Sequence, residues 1–201
     1  MLSEVFRIPE IYTEMSRKGF FNKDTFLWLN DMEWIPIEKI GDYEYEDGES
    51  RSVVPFAFTG GGDKWVWVID EGENDYPVGL CEGAEVNGIY YARNTRDAIL
   101  RQIIEFVSGS NFYVNAEEAK SYQFSEAELK ELLDKWRNSF EGILSDEQLE
   151  LISRFSTMPL KHIESKYGEW YALLSNEESG EMIRKYLGFD RLDNEFEWFI
   201  S

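Results

Sequence analysis

The sequence predicts an α+β fold: a mostly antiparallel sheet of about five strands, a mixed arrangement left open, flanked by helices and followed by an all-helical C-terminal extension packed on it. Three observations carry this. Residues 53–59, 64–70, 77–81 and 86–92 are extended runs bounded by Gly, Asp or Asn, the pattern of successive hairpins. Alternation in 64–70 puts Trp65, Trp67 and Ile69 on one face and Val66 and Val68 on the other, so both faces of the sheet need cover, which helices must supply. Beyond residue 110 the periodicity is helical alone.

The elements come in order. Pro9 at the first helical position and Gly19 after Arg17-Lys18 mark the start and stop of a short helix. Residues 34–40 read as a strand that Pro36 confines to an edge. After the four runs, Thr95 caps a helix over 95–108 whose stripe is Ile99, Ile103, Phe106 and Val107, closed by Gly109. Ser125-Glu126-Ala127-Glu128 and Ser145-Asp146-Glu147-Gln148 are capping boxes leading into Leu129, Leu133, Trp136 and into Leu149, Ile152, Phe155. Pro159 is expected to open a further helix carrying His162, and 177–187 ends at Gly188. No linker separates the halves, so 1–110 is read as an α+β domain and 111–201 as a helical extension of the same compact unit.

Composition narrows the function. The chain of 201 residues holds 40 acidic and 20 basic side chains, a formal charge of −20, where a small soluble domain is comfortable at roughly 2–8. Of these, 21 acidic and 10 basic residues fall in 1–110, so the charge belongs to the folded surface and is no appended tail. Such a field repels nucleic acid and anionic membranes and steers basic proteins. With 7 Trp, 11 Tyr and 14 Phe the chain is too aromatic for a disordered acidic segment. Cys81 stands alone, which forbids an internal disulfide; with no signal-like start and no long apolar run, the expectation is a cytoplasmic protein.

The stretch Gly60-Gly61-Gly62-Asp63 is the most distinctive in the chain. A phosphate loop would need a helix after it, but Lys64 opens a strand, so the reading is a hairpin turn with glycine at positive φ and Asp63 bonded to local backbone. Residues 42–48 carry their glycine one place late for a calcium loop. One histidine and one cysteine make neither a zinc site nor a triad, and Cys81 reads as a buried, inert thiol. No cofactor, metal or catalytic group is called for, and a non-enzymatic role is expected.

Pro9 at a helix start, then 34–40, then Val54-Pro55-Phe56-Ala57-Phe58-Thr59 running into Gly60-Gly61-Gly62-Asp63, an aromatic–aliphatic strand and a closing helix together resemble the SUKH superfamily over about residues 1–110. That group includes the yeast regulator of glucan synthesis and many bacterial immunity proteins. Arg17-Lys18-Gly19-Phe20-Phe21 departs from it where the family has an Asn-Gly-Gly turn. The resemblance implies a binding module, often one that neutralises a secreted toxin, commonly a nuclease. Nucleases that grip phosphates are basic, and an acidic inhibitor is steered to such a groove.

The residues expected to meet a basic partner, with a cognate secreted toxin foremost, are those of two acidic loops. The first supplies Tyr43, Glu44, Tyr45, Glu46, Asp47 and Glu49; the second, 70–85, has neither Lys nor Arg and supplies Asp70, Glu71, Glu73, Asp75, Tyr76, Glu82 and Glu85. Carboxylates would set the on-rate and the tyrosines would anchor. The alternative is a regulatory or scaffold module with an endogenous partner. Oligomeric state leaves no mark on the sequence.

Overall fold

The computed structural model describes residues 6–22, 25–26, 32–71, 75–83, 85–117, 119–166 and 168–199. Among the described residues the chain is α+β, with six helices, a separate hairpin and a six-stranded, wholly antiparallel sheet in the order β1 (Met32–Trp34), β2 (Val53–Thr59), β3 (Lys64–Val68), β4 (Val78–Cys81), β5 (Asn87–Ala92), β8 (Glu195–Glu197). It divides into two compact units, residues 1–99 with 189–201, and residues 100–188.

The first unit opens with α1 (Glu10–Arg17). Pro9 lies just before the first turn, and the helix ends where Gly19, at φ +79°, lets Gly19 N–H reach Ser16 O and Phe20 N–H reach Met15 O. The expected edge strand over 34–40 is two elements instead: β1 (Met32–Trp34) and a single turn of helix, α2 (Ile37–Ile40). Pro36 separates them, because a residue without an N–H cannot continue the ladder yet suits the entry to a helix.

The meander after α2 is β2 (Val53–Thr59), β3 (Lys64–Val68), β4 (Val78–Cys81) and β5 (Asn87–Ala92). Pro55 lies in the interior strand β2, and the register shifts between Pro55 and Ala57, the bulge that lets a sheet tolerate a missing donor. As expected, β3 is buried on both faces. On one, Trp67 meets Phe56 at 4.7 Å and Tyr12 edge-on at 4.9 Å, while the Tyr12 hydroxyl donates to Ile35 O and Phe56 O. Trp67 Nε1 donates to Thr95 Oγ1, 3.1 Å, at the start of α3 (Thr95–Ser108), which runs from the first unit into the second.

The other face was expected to be covered by helices as well, but the cover found there among the described residues is a returning extended segment. Val53, Val66, Val68, Cys81 and Tyr90 pack under Trp198, Phe189, Phe196 and Phe199, from a segment that returns after the second unit and adds β8 (Glu195–Glu197) to the sheet. The ring of Phe196 rests where Gly79 and Gly88, on neighbouring strands, carry no side chain.

The second unit holds α4 (Glu126–Ser139), α5 (Asp146–Thr157) and α6 (Asn176–Leu187), each opened by a capping box, at Ser125, Ser145 and Ser175. Its core includes Phe106, Trp136, Leu133, Ile152 and Phe155. The expected helix at Pro159 is instead a hairpin, β6 (Lys161–Ser165) with β7 (Gly168–Ala172), so 111–201 is not all-helical. The residue before a proline is pushed out of the helical region; Met158, at φ −80° and ψ 142°, is already extended, and His162 therefore sits in a strand. Among the described residues no helix is long and apolar enough to cross a membrane.

Candidate functional site

The Gly60–Asp63 stretch is the β2–β3 turn. Only Gly62 has positive φ, +93°, and Gly62 N–H donates to Thr59 O. Asp63 is more than a local turn residue: one oxygen accepts from Thr59 Oγ1 at 3.0 Å, and the other accepts from Gly83 N–H at 3.3 Å in the β4–β5 turn. The two turns at this end of the sheet are thereby tied together.

Lys64 begins β3 beside them. Its Nζ lies 2.9 Å from Glu49 Oε1 and 3.6 Å from Glu46 Oε1, and 5.2 Å from the ring centre of Trp198. Glu49 is buried, with no exposed side-chain area, and also accepts from the Tyr43 hydroxyl and from Glu46 N–H at 2.9 Å. Burial alone would lower the pKa of the Lys64 ammonium, but the hydrogen bonds with Tyr43 and Glu49 overcome it and hold the value at about 12. Burial lifts the Tyr43 phenol to about 12 as well. The Cys81 thiol is buried, as expected, and that burial pushes its pKa up.

Trp198 connects this group to both acidic loops. Its carbonyl accepts from Ser50 N–H, its N–H donates to Val86 O, and its Nε1 donates to Glu85 O at 2.9 Å. The 42–49 loop and the 82–86 turn are thus held against one residue, which sequence reasoning missed. The alternation Glu195-Phe196-Glu197-Trp198 was the available signal, since period two marks a strand with one apolar face.

The expected partner-binding residues sort by position. Glu44, Glu46 and Asp47 are exposed in the first loop, and Glu82 and Glu85 are exposed in the β4–β5 turn, all available to solvent. Asp70 and Asp75 are exposed too, but they lie in the β3–β4 loop at the far end of β4, whose four residues span about 13 Å at roughly 3.3 Å each. The stretch 70–85 is therefore two patches and not one loop. Glu73 lies outside the described residues.

Five residues expected to meet a partner are committed inside the fold, because their polar atoms already have partners at home. Glu49 is the buried counter-ion of Lys64. Tyr76 is 2% exposed, stacks on Phe6 at 5.7 Å, and its hydroxyl accepts from Arg7 N–H, so it is a core residue and no displayed anchor. Half-buried Tyr43 and Tyr45 give their hydroxyl protons to Glu49 and to Val53 O. Glu71, also half-buried, accepts from Tyr90 Oη at 2.7 Å and pairs with Arg191, whose guanidinium lies 4.7 Å over the Tyr90 ring.

Elsewhere, His162 lies in β6 with Nε2 3.3 Å from a Glu169 oxygen and Nδ1 3.6 Å from a Glu164 oxygen. A polar, open hollow of about 560 Å³ in the second unit is lined by Arg137, Glu141, Ser145, Asp146 and Glu150 among others, none of them an expected site residue. Among the described residues, no three of His, Cys, Asp and Glu gather as a metal site would require. No family model, no curated protein and no solved structure matches the chain.

Proposed function

We propose that this chain is a non-enzymatic protein-binding module, an immunity protein that neutralises a basic, nuclease-like toxin. The observation that supports the reading is that exposed Glu46, Glu82 and Glu85 stand at one turn end of the sheet, in a chain of formal charge −20. The carboxylates stand on elements locked by Asp63, Lys64 and Trp198, so little ordering is left to lose on binding. A basic nucleic-acid-binding groove is the surface that such an array complements. The resemblance of 1–110 to the SUKH superfamily supports the same reading from the sequence side.

The test is co-purification with the product of the adjacent gene, followed by association kinetics at two salt concentrations. A complex with a basic protein is expected, its on-rate falling by about tenfold or more between about 0.01 M and about 0.15 M salt. The charge reversal E82K/E85K should slow association by a similar factor at low salt and leave the fold intact. A neutral partner, or an on-rate indifferent to both changes, overturns the toxin reading and favours the regulatory module.

A further inference from the structure

Residues 189–199 behave as a ligand of the sheet they cover. A turn held by Leu192 N–H to Phe189 O and Asn194 N–H to Arg191 O, with Asp193 at φ 61°, brings the segment to β5. There it makes a ladder of three residue pairs, Asn87 with Glu197, Gly88 with Phe196 and Ile89 with Glu195. The seat beneath it is built for one ring: a Cβ on Gly79 would lie 2.5 Å from Phe196 Cζ, and one on Gly88 would lie 2.7 Å from it. Trp198 and Phe199 N–H both donate to Val86 O, and the Trp198 indole to Glu85 O. Arg191 closes on Glu71 and the Tyr90 ring at the other end.

We propose that this segment is an exchangeable strand, which two copies of the chain trade, each seating its Phe196 and Trp198 on the other's sheet. Every partner just named across the seat belongs to residues 71–90, so the contacts are the same whether the strand comes from its own chain or from a second copy. Exchange of an identical element is the low-cost route to a dimer for that reason. An empty seat would leave Val53, Val66, Val68, Cys81 and Tyr90 exposed to water, which disfavours a lasting open state and favours refilling by the one sequence whose side chains fit. The opposing force is repulsion between two chains of formal charge −20, which salt screens.

Salt therefore separates this proposal from the functional one: it promotes strand exchange and weakens capture of a basic partner. Full-length protein, concentrated in high salt, should yield a dimer by size-exclusion chromatography with light scattering. That dimer should persist after dilution, because reversal requires both strands to leave. A chain that stays monomeric under these conditions, or a dimer that dissociates at once on dilution, overturns the proposal. The complementation test mixes full-length G79A, whose new methyl clashes with Phe196, with full-length F196A, which lacks the ring but keeps the glycine seat. Exchange places the intact ring on the intact glycines and the truncated F196A strand over the methyl. The heterodimer should exceed either homodimer by about tenfold, and a mixture no richer in heterodimer than the twofold excess of random pairing overturns the proposal. Should a variant fail to fold, the wild-type dilution experiment decides alone.

Discussion

At the scale of single residues, Lys64 and Glu49 are the pair on which the acidic end of the sheet depends. Their side chains are 10% and 0% exposed, so removing one partner strands a charge away from water. K64M should cost about 3–5 kcal/mol in urea unfolding, while K64M/E49L should cost clearly less than the sum of the two single changes. An additive double mutant would show that the pair is not coupled. The same neighbourhood sets a pH dependence. Burial raises the phenols of Tyr43, Tyr45 and Tyr90 from 10.0 to about 12, and Lys64 stands raised from 10.5 to about 12. The folded state therefore holds more protons than the unfolded state between these values. The contribution of these groups to stability is full below pH 10 and is lost as pH climbs through about 12. Urea midpoints measured across that window should fall, and a flat profile would refute the assignment. The tryptophans should differ as well. Trp67 Nε1 bonds Thr95, whereas Trp65 Nε1 is buried without a hydrogen-bond partner among the described residues, so W67F forfeits about 1 kcal/mol more in hydrogen bonding than W65F.

At the scale of elements, local chemistry was most legible where a short-range signal meets no tertiary competitor. The capping boxes at Ser125 and Ser145, the run 53–59 and the extent of the helix 95–108 stand as read, because their signals lie within a few residues of what they terminate. The cap of that helix is Asn94 and not Thr95, since Asn94 Oδ1 accepts from Asp97 N–H at 2.9 Å while Thr95 Oγ1 accepts from Trp67. The third box, Ser175 with Glu178, obeys the same rule, and S175A should cost α6 about 1 kcal/mol. Proline was the source of two misreadings. Pro36 and Pro159 each end one element, but proline alone does not dictate the next one: after Pro36 comes a turn of helix, after Pro159 a strand. Gly79 and Gly88 look like weak strand residues in sequence, yet they are obligatory under Phe196. In a double-mutant cycle, G79A should destabilise in the wild-type background and by much less in F196A, the coupling read as a shift in urea midpoint. Equal costs in the two backgrounds would mean that the ring and the glycine do not communicate.

At the scale of the whole molecule, a formal charge of −20 acts against the compact state, and added salt should stabilise it. The melting temperature should rise from about 0.01 M to about 0.15 M salt, and a fall would mean that the ion pairs outweigh the net repulsion. The sequence by itself determined the class of the fold, the hairpin order of β2 to β5, the need to cover both faces of β3, the helix caps and the sign of the surface field. Those properties are sums over local chemistry, and each is complete within a turn, a strand or a composition. Only the tertiary structure decided that residues 189–199 supply the second cover and a sixth strand. It also showed that Glu49, Tyr76, Tyr43 and Tyr45 are spent inside the fold, and that 70–85 is two patches at opposite ends of β4. A carboxylate reads the same in sequence whether it faces water or a buried ammonium. What distinguishes Glu49 from Glu82 is a lysine 15 residues away and a tryptophan near the chain's far end, brought together by pairings that no local pattern records.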